Sequence, residues 1–272
     1  MSKQLFEKLL NDYKRSNKDR KEKLANKSGF STGEQYESYL KAMINSSYTI
    51  VSEVPVGLGK ASEAKKEIPT IHIVDIIDCS ASMMGSKINS AIEGINKGIK
   101  DLQSKNDAKY LYTLCDFSSY GDIKYLHSAT PINIVDKIEF KTRSATALYQ
   151  ASCKTIDLMD KIIANSGNKV LVNIYTDGED NNSREFTNEA PQKIKAAQEN
   201  GYTITFIGTD RDVERMINTM HIDRSNTLAY DGTSQGLYKS MSLNSMARST
   251  FSSAVAEGKD VSKGFYKEVI KK

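Results

Sequence analysis

The run Asp78-Cys79-Ser80-Ala81-Ser82 sets one carboxylate and two hydroxyls at alternate positions directly after the apolar stretch Ile71–Ile77. Alternate side chains of extended backbone point the same way, so Asp78, Ser80 and Ser82 converge on one point. Ser144-Ala145-Thr146-Ala147-Leu148-Tyr149 leads into a helical pattern and offers the Thr146 hydroxyl from a neighbouring loop. Thr176-Asp177-Gly178-Glu179 follows the apolar run Val170–Tyr175 and offers a second carboxylate, Asp177. A donor set made only of oxygens suits a hard cation: Mg²⁺ first, Mn²⁺ or Ca²⁺ otherwise, with waters completing the octahedron.

Other chemistries fit these residues poorly. Cys79 precedes a helix N-terminus, which lowers a thiol pKa, but no His adjoins it as a base, and a small buried residue is the better reading. Ser80 lies in no G-x-S-x-G elbow. Asp78 as a phosphoryl acceptor would be followed two residues on by a second Asp, where Ser80 stands, and the chain has no P-loop. His72, His127 and His221 are isolated, and Cys79, Cys115 and Cys153 are scattered. Neither a disulfide framework nor a zinc site can be built from them, which points to a reducing, cytoplasmic location. Lys141 and Arg143 near the Thr146 loop read equally as attractors of an acidic ligand or as solvated charges. Glu179 and Asp180 read equally as rim or as ordinary surface.

The elements that would position these groups alternate. Residues 2–27 read as one helix with the stripe Phe6, Leu9, Leu10 and Tyr13. A second helix is expected over 33–45, where Ser31 and Glu34 have capping-box spacing, and a linker over 47–68. Ile71–Ile77 is a strand buried on both faces. Ser86 is placed to cap a helix carrying Ile88, Ala91, Ile92, Ile95, Ile99 and Leu102. Strands follow at Tyr110–Phe117 and Ile123–His127, a helix at Leu148–Ala164, a strand at Val170–Tyr175 and a helix at Phe186–Glu199. The order continues with strand Tyr202–Ile207, helix Asp212–Met220, strand Thr227–Tyr230 and helix Ser234–Phe251. Such alternation predicts a three-layer α/β fold with a doubly wound, mostly parallel sheet, whose ligands sit at the carboxyl ends of the strands. The expected organisation is a helical arm and linker at 1–68, the α/β domain at 69–252, and a polar, basic tail at 253–272.

Bulk properties agree with a globular chain. Of 272 residues, 39% are apolar and 26% charged, so a sizeable core can be buried. The net charge of +4 is too mild to argue for nucleic acid or a membrane surface. Residues 1–27 hold nine Lys/Arg against four Asp/Glu, so any electrostatic surface lies in that arm. Its bland reading, a solvated helix packed by its apolar stripe on the main domain, is preferred over nucleic-acid binding. No apolar run approaches the roughly 18 residues of a membrane span, and the N-terminus lacks the apolar core of a secretory signal.

Taken together, D-x-S-x-S after the first strand, a Thr-x-Leu loop and T-D-G after a later strand resemble the metal-ion-dependent adhesion site of von Willebrand factor A domains. The resemblance spans about residues 70–250. The S-x-T-A-L-Y loop and the T-D-G-x-x-N run, Thr176 to Asn181, look like those of stand-alone bacterial and phage members, which would add a virion as a location. The resemblance implies that Ser80, Ser82 and Thr146 contact the metal, one of them through water, and that Asp78 and Asp177 bind it directly or through water. It also implies that a partner protein's carboxylate fills the open position. Many members carry Gly where this chain has Ser144, which leaves Thr142 as the second choice of hydroxyl. The expected function is metal-dependent protein binding without catalysis. The alternatives are a metal-independent scaffold in a bacterial or phage assembly, and a non-catalytic subunit beside an ATPase.

Overall fold

The computed structural model describes residues 3–27, 33, 37, 40, 68–164 and 166–270. Contacts divide the chain into two units, 1–68 and 69–272. In the first unit, α1 (Lys3–Lys14) and α2 (Lys18–Lys27) replace the single helix expected over 2–27. The break comes at Asn17, whose side-chain oxygen accepts from the Arg20 N–H at 3.0 Å and so caps a new helix. Leu10 and Tyr13 are buried. The side chains of Phe6 and Leu9 lie outside the described residues. Of the helix expected over 33–45, Gly33, Glu37 and Leu40 are described, and each is helical. The linker expected over 47–68 lies outside the described residues apart from Ile68.

The second unit is a six-stranded sheet in the order β3-β2-β1-β4-β5-β6. The strands are β1 (Thr70–Asp78), β2 (Lys109–Phe117), β3 (Ile123–Pro131), β4 (Lys169–Tyr175), β5 (Thr203–Thr209) and β6 (Thr227–Tyr230). All neighbours pair in parallel except β2 and β3. The crossover helices are α3 (Ser86–Gln103), α4 (Leu148–Ile163), α5 (Phe186–Glu199) and α6 (Asp210–Met220), and α7 (Ser234–Ala256) follows the last strand. Two apolar clusters, one per face, give three layers: Ile71, Ile73 and Ile77 of β1 join α3 and α7, whereas Val74 and Ile76 join α4, α5 and α6. Both faces of β1 are therefore buried, which is why its sequence is nearly continuous in β-branched residues.

Local chemistry sets the ends. Gly85 at φ 81°, rather than Ser86, holds the N-cap of α3, a conformation that suits glycine. Within α3, Gly94 lets α7 approach: a Cβ there would lie 2.6 Å from the Met241 sulfur. Thr209 and Asp212 form a capping box that starts α6 two residues before the expected Asp212. The end of the chain differs most from expectation. α7 runs on to Ala256, and a short α8 (Lys267–Ile270) follows. Phe265, Tyr266 and Val269 are buried, so the stretch read as a polar tail from 253 belongs to the second unit. Its apolar residues are few and scattered from the end of α7 to α8, where neighbouring lysines hide them from a compositional reading. Among the described residues, no helix is long and apolar enough to cross a membrane.

Candidate metal centre

The carboxyl ends of β1 and β4, adjacent in the sheet, bring Asp78 and Asp177 to one rim. Asp78 is fully buried. Its two oxygens accept from the Ser80 N–H at 2.7 Å and from the Thr176 hydroxyl at 2.5 Å. Burial pushes its carboxyl up to about 6; the Thr176 and Ser80 bonds pull the other way, and the nearby Asp177 adds to the rise. A carboxylate so placed gains from a cation. The Ser80 and Ser82 hydroxyls lie 2.9 Å apart, and Ser82 donates to Asp177 Oδ1 at 2.6 Å. The second oxygen of Asp177 accepts from Lys87 Nζ at 2.5 Å.

Thr146 is carried in by backbone bonding. The Ala81 N–H donates to the Ser144 carbonyl at 2.8 Å, and the Arg143 N–H to the Cys79 carbonyl at 2.6 Å, so the loop before α4 runs alongside the Asp78 loop. Asn181 clamps Thr146 from the other side. Its side chain accepts from the Thr146 N–H at 3.0 Å, and its own N–H donates to the Thr146 carbonyl at 2.9 Å. A Cβ on Gly178 would stand 3.4 Å from Ser82 Oγ, 3.6 Å from Thr146 Oγ1 and 3.9 Å from Asp78 Oδ2. Three donors from two loops thus surround one small space beside Gly178 on a third, and the hydroxyl that reaches it from the loop before α4 is that of Thr146.

This donor set fits a hard cation: two carboxylates and three hydroxyls with no nitrogen or sulfur. Among the described residues, no three His, Cys, Asp or Glu side chains gather into a metal cluster; the rim differs in drawing most of its oxygens from alcohols. Gly178→Ala tests the cradle. At 3.4–3.9 Å the added methyl makes ordinary contacts, so we expect an unchanged melting temperature but at least tenfold weaker Mn²⁺ binding by calorimetry. Undiminished Mn²⁺ affinity would place the ion elsewhere.

The neighbouring charges have other work. Arg143 pairs with Asp116 at 2.8 Å and with Asp122, so it braces the Thr146 loop. Glu179 pairs with Arg211 and Arg215. Asp180 accepts from the Tyr149 N–H at 2.9 Å at the start of α4. Cys79 is fully buried, and burial pushes its thiol far above the usual range, the reverse of a nucleophile. Tyr230 was not foreseen: its buried hydroxyl makes no hydrogen bond among the described residues. Burial and then Asp177 hold its pKa up, so β6 also borders the rim. In sequence, it is simply one more apolar-strand aromatic.

Fold and rim together define a doubly wound α/β domain with a cluster of carboxylate and hydroxyl oxygens at the carboxyl edge of its sheet. The profile of the von Willebrand factor type A domain matches residues 72–245, and the chain belongs to that family. No curated protein matches it. Among solved structures, it is similar to the pilus adhesin SpaC from Lactobacillus rhamnosus GG in its open conformation. There the TM-score is 0.55 and the identity 10%, over 69% of this chain and 31% of that one. It is also similar to the vWF domain of the type V pili tip protein Mfa5 from Porphyromonas gingivalis. That match has a TM-score of 0.52 and 14% identity, over 67% of this chain and 96% of that one. The chain thus spans about a third of the adhesin, and at these identities the likeness is one of fold.

Proposed function

We propose that this protein is a binding module that holds an acidic side chain of a partner protein through one divalent cation, Mg²⁺ foremost, at the rim of its sheet. Asp78, Ser80, Ser82, Thr146 and Asp177 would hold the ion. When bound, it supplies a Lewis-acidic position for a partner carboxylate. The observation that carries the reading is the convergence of Asp78, Ser82 and Thr146 on the space beside Gly178. The residues of this chain keep that position electrophilic: three of the five groups are neutral alcohols, which leave positive charge for an incoming anion. Asp78 is buried and held by Thr176 and Ser80, so it is preorganised and has no freedom to lose on binding. Cys79 is buried, and Ser80 has no His beside it in sequence, so neither is set up as a nucleophile, and the reading is of binding without catalysis. The resemblance of two pilus proteins in fold accords with a binding role.

The test is capture of partners from the native cells on the full chain, with Mg²⁺ and with EDTA. A partner held with Mg²⁺ and released by EDTA is the expected result. A partner retained unchanged in EDTA would end the cation-bridge reading and favour the metal-independent scaffold.

A further inference from the structure

Lys87 is the second residue of α3, a helix of 18 residues with no acidic side chain in its first turn. A cation there faces the positive end of the helix dipole, where negative charge is favoured. Its position therefore needs a compensating partner, and that partner is Asp177. Lys87 Nζ lies 2.5 Å from Asp177 Oδ2; the Lys87 side chain is 29% exposed and that of Asp177 only 1%. The other Asp177 oxygen accepts from Ser82. Both oxygens of this carboxylate are thus committed inside the chain, one of them to a full positive charge.

We infer that Lys87 is a built-in competitor for the cation and sets the affinity of the rim for it. The inference rests on the reading of the rim as a cation site. The ammonium and a divalent ion draw on the same carboxylate. Taking up the ion must share or break the Lys87–Asp177 pair, so part of the binding energy goes into moving Lys87. A singly charged ion brings no more charge to Asp177 than the lysine already does, whereas a doubly charged one does. The pair therefore raises the threshold for binding and selects divalent over monovalent cations. A lysine serving only to fasten α3 to β4 would act in the opposite sense, because its loss would loosen the site and weaken cation binding.

The test is Mn²⁺ titration of the full chain, followed by calorimetry and by the Mn²⁺ paramagnetic resonance signal, for the natural protein, Lys87→Met and Lys87→Arg. A charge-assisted bond is worth enough that its removal should tighten Mn²⁺ binding by about tenfold in Lys87→Met. Lys87→Arg, which keeps the charge, should stay close to the natural affinity. Asp177 is buried, so the gain should persist in 0.5 M KCl, where a contribution from distant charge is screened. Without divalent ions, Lys87→Met should also melt lower than the natural protein. Equal or weaker Mn²⁺ binding by Lys87→Met, with the natural protein binding one ion, overturns the role of Lys87 and leaves the cation site standing. A gain that vanishes in high salt overturns direct competition in the same way. If neither protein binds Mn²⁺, both readings fall together.

Discussion

Replacing Asp78 by asparagine should abolish the stabilisation by divalent cations while leaving the protein as stable as before, or more so, in their absence. A ligand at 100 times its Kd stabilises the folded state by about 2.7 kcal/mol. The natural protein should gain that much between EDTA and saturating Mg²⁺, and Asp78→Asn should gain nothing. The asymmetry follows from where Asp78 sits. Its side chain is fully buried, so its charge is costly wherever no cation faces it. Asparagine keeps an acceptor for the Ser80 N–H or the Thr176 hydroxyl and removes the charge. Alanine removes both bonds as well; it should also lose partner binding, at a cost of roughly 1–3 kcal/mol for the unmatched donors. Urea unfolding with and without Mg²⁺ reads all three proteins. A full Mg²⁺ response in Asp78→Asn would show that the ion does not depend on this carboxylate.

The two carboxylates of this site share one property in sequence: each stands at or just past the end of a strongly apolar strand. Asp78 and Asp177 mark the points where β1 and β4 stop being buried on both faces, and a polar residue there is conspicuous. The groups that orient the site lack such a marker. Asn181 and Thr176 act through hydrogen bonds across loops that sequence spacing cannot place. Lys87 reads as an ordinary lysine on a helix start, because only the β1–β4 pairing brings Asp177 to it. The arm shows the same limit. Helix-forming residues continue past Ser16, and the break depends on the single side chain of Asn17. At the other end, residues 253–272 average out as polar although Val255, Phe265, Tyr266 and Val269 are core.

The largest effect on stability is expected away from the rim, at an ion pair whose sequence signal is present but easily passed over. Asp75 is a buried carboxylate in the middle of the mostly apolar β1, and α7 carries the inward stripe Leu237, Met241, Asn244, Arg248, Phe251 and Val255, all buried. Two polar residues in such a stripe require partners inside. Arg248 pairs with Asp75, the side chains being 3% and 0% exposed. Asp75 also accepts from Tyr112 at 2.7 Å, Asn173 at 3.0 Å and Tyr175 at 3.2 Å. Tyr175 in turn accepts from Asn244 at 2.6 Å, and Asn244 from Tyr266 at 2.8 Å. The network joins β1, β2, β4, α7 and the end of the chain, which is how the final residues come to belong to the core.

Breaking such a pair by removing one partner costs about 3–5 kcal/mol, because the other charge stays buried and uncompensated. Arg248→Met should lose that much in urea unfolding at an unchanged m-value, a large share of the 5–15 kcal/mol typical of a domain. The pair itself contributes little beyond satisfying its own charges, since desolvation offsets most of the attraction. Asp75→Asn combined with Arg248→Met should therefore recover most of the loss, as asparagine can still accept from Tyr175 with its oxygen and donate to the Tyr112 hydroxyl with its amide nitrogen. The size of that recovery separates two roles. If the double variant is as unstable as the sum of the single ones, the two charges act independently. If Arg248→Met alone costs less than about 1 kcal/mol, the guanidinium is not the partner on which Asp75 depends in the core, and the tyrosines are.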